Sequence, residues 1–402
     1  MKAKAKNYKH TIFGMLIAAG GLAVLLTVLL LMRTNSTIAE WMASNYSRAW
    51  ISIFSRITSI FPFSLYETLL YVVILGAIAF IVTAIVFFCK KNPLRAVTYL
   101  LVILLVGLSI GNVYTVSAGF AYYRDEPDIP LHQTSIFTDD NIIEVVEAAI
   151  FMMDDYNRLA DAMERDESGR TISPYTHAQL ASKLKEEYKR LDGSDYFSSF
   201  TPRAKTITSK KIMSHMHITG VFFAPFGEAN VNPLTPAMDM PVTMAHELAH
   251  AKGAMRESDA NLVAYWLAIT SDDEYLRYSG YSSCYYRLLY VLLDYDMNND
   301  TNLYGELISS LNPKIRREIL LNNEFWNSYD LLDKIADALT DLYLKLQGQK
   351  NGTGSYVEPT IPPDTVITPD PDGGDDKIEV IYYLNNVQRM ILRAVEERKA
   401  KS

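Results

Sequence analysis

The sequence is poor in cysteine and has no excess of basic residues. Only two cysteines, Cys89 and Cys284, occur in 402 residues. Cys89 ends an apolar run and Cys284 lies far away in a polar region, so we expect no disulfide between them. This also excludes a disulfide scaffold and a zinc site built from thiolates. Acidic residues outnumber basic residues by 46 to 38, and the net charge of −8 excludes the strongly basic surface that a nucleic-acid partner would need.

Long apolar runs are abundant before residue 118 and scarce after it. Three runs, at about residues 11–32, 66–89 and 96–118, are long enough to cross a bilayer, which takes about 20 residues. Buried core helices are the alternative, but each run lacks charges after its first few residues. The first run is too long for a cleaved signal peptide. The sequence therefore predicts a membrane domain, residues 1–118, with three transmembrane helices and the lipid bilayer as a partner.

The placement of lysine and arginine predicts how these helices are oriented. Residues 2–9 contain four lysines, and the short loop after the second helix contains Lys90, Lys91 and Arg95, so both segments are expected to face the cytoplasm. The loop between the first two helices carries three arginines, which makes the bias modest. Three crossings then place everything after about residue 119 outside the cytoplasm, in a multi-pass protein of the cell membrane.

Beyond the membrane helices, the sequence predicts a domain, a linker and a tail. Residues 119–347 contain several helical patterns and one β-branched and aromatic stretch, residues 218–224, that is typical of a strand. Residues 348–377 are rich in Pro, Gly, Thr and Asp and are predicted to be a disordered linker, because nothing there can form a core. Residues 378–402 are predicted to be an amphipathic helix that packs against the domain or, as a second interpretation, contacts the membrane surface.

Residues 241–261 read PVTMAHELAHAKGAMRESDAN and contain a His-Glu-x-x-His pattern. On a helix, His246 and His250 lie on one face, where two imidazole groups can bind one zinc ion. Glu247 lies beside that face and could accept a proton from water activated by the metal, then pass it to a leaving amine. A polar helix with two surface histidines is the alternative. The apolar residues around the pattern favour a buried helix, and buried histidines need the partner that a metal supplies.

A catalytic zinc site that keeps one position open needs a third protein ligand. Gly253 is suited to turning the chain out of the helix. The next helix begins with two acidic candidates, of which Glu257 is favoured, and Asn261 one turn later could orient its carboxylate. Asp259 and His217 remain alternative ligands. Glu257 could also be a first-turn glutamate that interacts with the helix dipole and binds no metal.

Two further elements would be needed for peptide hydrolysis. Residues 218–224, about twenty residues before the motif, could be an edge strand that holds an extended peptide by main-chain hydrogen bonds, or a plain core strand. A hydrogen-bond donor to the developing oxyanion is also required. His217, Tyr278 and Tyr281 are the candidates for that role.

Several segments together resemble one uncharacterised bacterial family, catalogued as a domain of unknown function and made of three-span membrane proteins with a zincin-like domain. These segments are FPFSLYE, AYYRDEP, PRAKTITS, GVFFAPFGEANVN, HELAHAKGAMRESDAN and YSGY. The resemblance extends to about Tyr356, and the linker departs from it. The family's Glu-x-x-Ala-Asn segment corresponds to Glu257, Ala260 and Asn261. It is similar to the Glu-x-x-Ala-Asp of membrane-associated gluzincin peptidases, whose glutamate binds zinc, so the resemblance implies Glu257 as a ligand but no substrate.

Together these patterns predict a mainly α-helical chain: three transmembrane helices, a zincin-like α+β domain with a small sheet, and a helical tail. The expected function is that of an integral membrane zinc metallopeptidase acting on peptides or proteins. His246, His250 and Glu257 would hold one Zn²⁺ ion, with Glu247 as the general base. The alternative is a membrane-bound sensor or scaffold with a catalytically inactive zinc domain, which would have no use for Glu247. A hydrolase of non-peptide amides would share every catalytic residue.

Overall fold

The structure, a computed structural model, describes residues 2–357, 361–368 and 377–401. In the membrane part and the segments next to it, the helices are α1 (Lys2–Met32), α2 (Ser36–Met42), α3 (Arg48–Thr58), α4 (Leu65–Cys89) and α5 (Pro93–Tyr114). The helices that follow are α6 (Ile143–Ala162), α7 (His177–Tyr188), α8 (Lys210–His215), α9 (Met240–Lys252), α10 (Glu257–Thr270), α11 (Glu274–Asn299), α12 (Leu303–Ser309), α13 (Pro313–Asn327), α14 (Asp333–Leu346) and α15 (Asn386–Lys399). The strands are β1 (Ile136–Phe137), β2 (Lys205–Thr206), β3 (Gly220–Phe223), β4 (Glu228–Val231), β5 (Asp364–Thr368) and β6 (Lys377–Tyr383).

Three helical segments are long and apolar enough to cross a membrane, as the sequence predicts. They are Tyr8–Met32 in α1, all of α4, and Pro93–Gly119, which is α5 extended by a π-helical turn. The helix α5 packs against both α1 and α4, and the amide of Asn112 donates to the carbonyl oxygen of Leu22 at 3.0 Å. Most of each span is exposed in the chain alone, as expected of surfaces that face lipid. The chain is therefore a membrane protein, while its orientation in the membrane stays a prediction.

A small sheet with the strand order β2-β4-β3 lies at the start of the second membrane helix. Strand β4 pairs in parallel with β2 and antiparallel with β3, where Gly220 is opposite Val231. The Glu228 carboxylate on β4 accepts hydrogen bonds from the backbone N–H groups of Leu65 at 3.1 Å and Tyr66 at 2.8 Å. These N–H groups have no partner inside α4 because they lie in its first turn. The sheet is thus joined directly to the end of a membrane helix.

The same carboxylate forms a buried ion pair with Lys205 on β2, and both side chains are only 1% exposed. The Lys205 ammonium also donates to the carbonyl oxygens of Thr58 at 2.8 Å and Phe63 at 3.0 Å. Glu67 of α4 completes the junction by accepting from the backbone N–H of Ser209 at 2.7 Å. These contacts join the sheet to the start of α4. They bring together three of the segments that carry the family resemblance, namely those that contain Glu67, Lys205 and Glu228.

The centre of the domain outside the membrane helices is formed by α9, α10 and α11. Residues 262–270 of α10 are all buried, as expected for a helix that is apolar all round. The helix α11 packs on α6, and α15 packs on α10 and α6. The buried face of α15 includes Val387, Met390, Ile391 and Val395, so the tail packs against the domain, in agreement with the first of the two interpretations.

Two predictions about the C-terminal part need correction. A 3₁₀ helix, Gly352–Tyr356, and strand β5 lie inside the segment 348–377 that was expected to be a disordered linker. Residues 358–360 and 369–376 of that segment lie outside the described residues. The tail also begins with strand β6, which pairs with β5 and β1, before α15 starts. The prediction of disorder was wrong because these residues are ordered by pairing with distant parts of the chain. Amino-acid composition gives no information about such pairing.

Candidate metal centre

Two consecutive helices bring the predicted metal ligands together. His246 and His250 lie one turn apart on α9, and Glu257 is the first residue of α10. Gly253 ends α9 with a positive φ of 114°, a conformation that glycine adopts without strain. This turn folds the start of α10 back against α9, so that one ligand atom from each of the three side chains lies within 4.8 Å of the others.

The atoms that face one another are the Nε2 atoms of the two histidines and one Glu257 oxygen. The two Nε2 atoms are 3.1 Å apart, and Oε2 of Glu257 lies 3.1 Å from His246 Nε2 and 3.6 Å from His250 Nε2. Ligand atoms of a tetrahedral zinc ion, with bonds of about 2.0–2.2 Å, lie about 3.3–3.6 Å apart. The spacing of these three atoms therefore fits a single zinc ion.

The other ring nitrogen of each histidine is occupied by a hydrogen-bond acceptor. Nδ1 of His246 contacts Oδ1 of Asn261 at 2.9 Å, and Nδ1 of His250 contacts the carbonyl oxygen of Ala254 at 2.7 Å. A carbonyl oxygen only accepts, so each Nδ1 carries a proton that it donates, and Nε2 is the ring nitrogen that can bind a metal. The two Nε2 atoms and the carboxylate oxygen converge on one point and could hold a metal ion there.

Asn261 has a different role from the one that the sequence suggested. We expected it to orient Glu257, which precedes it by one turn on the same helix. Instead its Oδ1 accepts from His246 on α9, and its Nδ2 donates to the carbonyl oxygen of Tyr356 at 2.9 Å. The Tyr356 ring also stacks on the His246 ring, with centroids 6.5 Å apart. Asn261 thereby fixes the tautomer of His246 and links the metal centre to the segment after α14.

Glu247 lies deep beside the metal ligands and is 5% exposed. Its Oε2 atom is buried and has no hydrogen-bond partner among the residues that the structure describes. Burial raises the pKa of Glu247 to about 8, an effect that His246 opposes and Glu257 reinforces. Burial also acts to raise the pKa of Glu257, but the histidines outweigh it through charge and hydrogen bonds and lower that pKa to about 2. The two carboxyl groups thus have environments that favour different protonation states.

Gly220 on β3 is a site residue that motif reasoning missed. It lies directly against the Glu247 side chain: a Cβ atom at Gly220 would be 2.6 Å from Cγ and 2.7 Å from Cδ of Glu247. Only glycine leaves room for the carboxylate at this position. The glycine is visible in the sequence at the start of the predicted strand, but nothing in the strand pattern shows that it faces the motif helix.

A cavity of about 550 Å³ opens in front of the three ligands and Glu247. One wall is β3, where residues 219–222 line the cavity. The strand order leaves one edge of β3 without a neighbouring strand within the described ranges, so β3 is an edge strand beside the motif helix. This is the position that the sequence suggested for residues 218–224 as one of two alternatives.

The cavity is also lined by three tyrosines from distant parts of the chain: Tyr114 of α5, Tyr122, and Tyr343 of α14. The hydroxyl of Tyr122 lies 2.9 Å from that of Tyr343 and 3.3 Å from that of Tyr114, and the Tyr114 and Tyr343 hydroxyls are also in contact. Burial raises the pKa of Tyr122 and Tyr343 well above the usual range, and the Glu257 charge adds to this shift. Their hydroxyls therefore keep their protons at neutral pH.

The remaining predicted site residues lie elsewhere or have other partners. Asp259 accepts a hydrogen bond from Arg256 at 2.7 Å and is not in the ligand group. Tyr278 donates to Glu318 at 2.7 Å and Tyr281 donates to Asp155 at 3.0 Å. Both tyrosines are fully buried in the core, outside the cavity lining, so neither is placed to serve as an oxyanion donor.

His217 does line the cavity, but it is not one of the clustered ligands. Its Nε2 contacts the carbonyl oxygen of Tyr329, and its backbone has a positive φ of 50°. It therefore belongs to the rim of the cavity.

A comparison of the sequence with models of known protein families gives one match. The family described as "Protein of unknown function (DUF3810)" matches residues 44–360. The chain belongs to this family. The matched DUF3810 region contains the second and third membrane helices, the β2-β4-β3 sheet, the three candidate ligands and the 3₁₀ helix that reaches His246, and it ends before β5. No curated protein matches the chain, and no solved structure does.

One other group of metal-ligating side chains occurs in the described residues of this DUF3810 member. Nε2 of His132 lies 3.1 Å from oxygens of both Glu144 on α6 and Glu396 on α15. The two carboxylates are about half exposed, and Arg393 donates to Glu396 at 3.0 Å. We interpret this group as a cluster of polar contacts that joins the tail helix to α6.

Proposed function

We propose that the chain is an integral membrane zinc metallopeptidase. The proposal rests on the convergence of the two Nε2 atoms and the Glu257 carboxylate, which lie 3.1–3.6 Å from one another. Both Nδ1 atoms are hydrogen-bonded to other acceptors. Such a group is suited to binding a divalent cation. Two imidazoles and one carboxylate are the ligand set of one class of catalytic zinc site, which keeps a fourth position open.

Glu247 is the general base in this proposal. A zinc ion held by the three ligands would lower the pKa of water to about 7 and polarise the scissile carbonyl. Support for the role of Glu247 comes from its buried Oε2, which lacks a partner among the described residues and lies beside the ligands in the cavity. A purely structural glutamate in such a place would be expected to have one.

The cavity suggests how a peptide would bind. Strand β3 has a free edge along the cavity, so an extended peptide could pair with it through main-chain hydrogen bonds. In the same cavity, Tyr122 and Tyr343 have protonated hydroxyls that are suited to donating to a developing oxyanion. In this proposal they take the role for which His217, Tyr278 and Tyr281 were considered.

An inactive zinc-binding sensor is the competing function. It would use the two histidines and Glu257 in the same way, but it has no need of a buried carboxylate oxygen beside the ligands that lacks a hydrogen-bond partner among the described residues. We also propose that the peptidase domain lies outside the cytoplasm. This part of the proposal rests on the modest excess of lysine and arginine in the segments expected to face the cytoplasm.

The test is Glu247→Gln in the purified full-length chain, incubated with mixed peptides whose cleavage is read by mass spectrometry. We expect zinc content to stay at the wild-type level and cleavage to fall by about 10²–10⁴-fold. The control is Glu274→Gln, which changes a half-exposed glutamate on α11 and should leave cleavage unchanged. Equal cleavage by the wild type and Glu247→Gln would contradict the role of Glu247 as the base, and cleavage by neither would favour the sensor.

A further inference from the structure

One face of α14 is apolar and exposed, although this helix forms part of the cavity wall. Five large aliphatic side chains on and just before it are between 55% and 73% exposed: Leu331, Ile335, Leu339, Leu342 and Leu346. They recur at intervals of three and four residues, so they form one continuous row, which we call the α14 stripe. Isolated exposed leucines are ordinary, but a row of five on one helix indicates a surface that something covers.

The opposite face of α14 contacts the domain. Ala336 and Leu344 are buried, and Asp337, Thr340 and Tyr343 line the cavity. The α14 stripe therefore points away from the metal centre while the other side of the same helix forms part of its wall.

The C-terminal end of α14 is fastened to the ends of two membrane helices. Arg33, the first residue after α1, donates to the carbonyl oxygen of Leu346 at 2.6 Å and to the side chain of Gln347 at 2.9 Å. Tyr343 contacts Tyr114, the last residue of α5. This end of the helix therefore lies beside the C-terminal ends of the first and third spans.

The N-terminal end of α14 is tied to the second span through one short helix, α8. The backbone N–H of Leu332 donates to the carbonyl oxygen of His215 at 3.0 Å. His215 ends α8, and Ser209, just before α8, donates to Glu67 in the first turn of α4. Both ends of α14 are thus held close to span ends, which favours an orientation along the membrane surface.

We propose that the α14 stripe is a membrane-contact surface, covered by the interfacial region of the bilayer that the three spans cross. A helix with one apolar face and one charged or polar face is suited to this position. Lys334 and Lys345 are exposed beside the stripe, where their alkyl chains can lie on lipid while their ammonium groups reach the headgroups. The helix also carries Asp333, Asp337 and Asp341, so its contact depends on apolar burial and not on anionic lipid. This proposal does not depend on the zinc chemistry.

The test is spin labelling of the full-length chain in nanodiscs of phosphatidylcholine. In a background with Cys89→Ser and Cys284→Ala, a nitroxide is attached to Leu339→Cys, and in separate samples to Ile335→Cys and to Ile143→Cys. Ile143 is a matched control, because it is 59% exposed on α6 and Leu339 is 58% exposed. Power saturation then compares collision with oxygen, which concentrates in lipid, and with a water-soluble nickel complex.

We expect the labels at positions 335 and 339 to collide mainly with oxygen, and the label at 143 to collide mainly with nickel. The same result is expected when a third of the lipid is replaced by anionic phosphatidylglycerol. A nickel-dominated pattern at positions 335 and 339 would overturn the proposal by showing that the stripe faces water. Low collision with both reagents would also overturn it, because the stripe would then be covered by protein.

Discussion

Gly220 and Glu247 are packed so closely that a single added methyl group would displace the carboxylate: a Cβ atom at position 220 would lie 2.6 Å from Cγ of Glu247. Gly220→Ala should therefore leave the zinc ligands in place but move the proposed base. Displacements of about 1 Å in a catalytic site lower turnover by about 10²-fold. We expect a loss of this order in peptide cleavage, measured together with zinc content.

The matched control is Gly354→Ala, since a Cβ atom there would have only an ordinary contact, 3.5 Å from Asn351. It should cleave peptides at the wild-type rate. Full activity of Gly220→Ala would show that the position of Glu247 is not important for turnover.

Asn261 is expected to control zinc affinity, although it does not touch the metal position. Asn261→Ala removes the acceptor that fixes the proton of His246 on Nδ1. Loss of such a hydrogen bond typically weakens metal binding by about 10–100-fold. Competition with a chromogenic chelator would measure this change.

Tyr356→Phe is the control for that experiment, because it keeps the ring that stacks on His246 and the carbonyl oxygen that accepts from Asn261. We expect its zinc affinity to equal that of the wild type. If Asn261→Ala binds zinc as tightly as Tyr356→Phe does, the hydrogen bond to His246 has no such role.

The buried pair of Lys205 and Glu228 should stabilise the junction between the sheet and the membrane helices. Lys205→Met leaves the Glu228 carboxylate buried without its cation, and breaking a buried ion pair in this way lowers the free energy of unfolding by about 3–5 kcal/mol. Denaturant unfolding in detergent would detect such a loss.

Lys314 forms a comparable pair with Asp161 at 2.7 Å, but both side chains are about half exposed. Lys314→Met should therefore change the unfolding midpoint very little. Similar losses for the two lysine variants would contradict a special role for the membrane junction.

Much of the site could be predicted from the sequence because its central residues are close along the chain. The spacing of His246 and His250 predicts that both lie on one face of a helix. Gly253 indicates that this helix ends there and that the chain turns back, so that the acidic start of the next helix supplies Glu257. Asn261 was assigned to the wrong partner because reasoning from one helix considers only neighbours on that helix. Gly220, Tyr122 and Tyr343 reach the site through tertiary packing, and their local patterns give no signal of it.

The same physical limit explains the error in the linker. Its Pro- and Gly-rich composition predicts that it forms no core of its own. Composition cannot reveal that Tyr356 is held by Asn261, or that β5 pairs with β6 over residues 364–368. The three membrane helices were predicted within a few residues because apolar length is a property of the local sequence alone.

The orientation in the membrane is open to a direct test. In a chain with Cys89→Ser and Cys284→Ala, a membrane-impermeant maleimide should label Ser309→Cys on intact cells, since this residue is exposed on α12. Lys90→Cys, in the basic loop after the second span, should be labelled only after the membrane is permeabilised. The reverse pattern would place the metal centre in the cytoplasm.

The central claim is that His246, His250 and Glu257 hold one zinc ion, and zinc-edge X-ray absorption on the purified full-length chain tests it most directly. We expect one zinc per chain, with two nitrogens and at least one oxygen at about 2.0–2.2 Å. Zinc should be lost from Glu257→Ala and retained by Asp259→Ala. The account would be contradicted by a chain that binds no zinc, or by a zinc signal that is unchanged when both histidines are replaced by alanine.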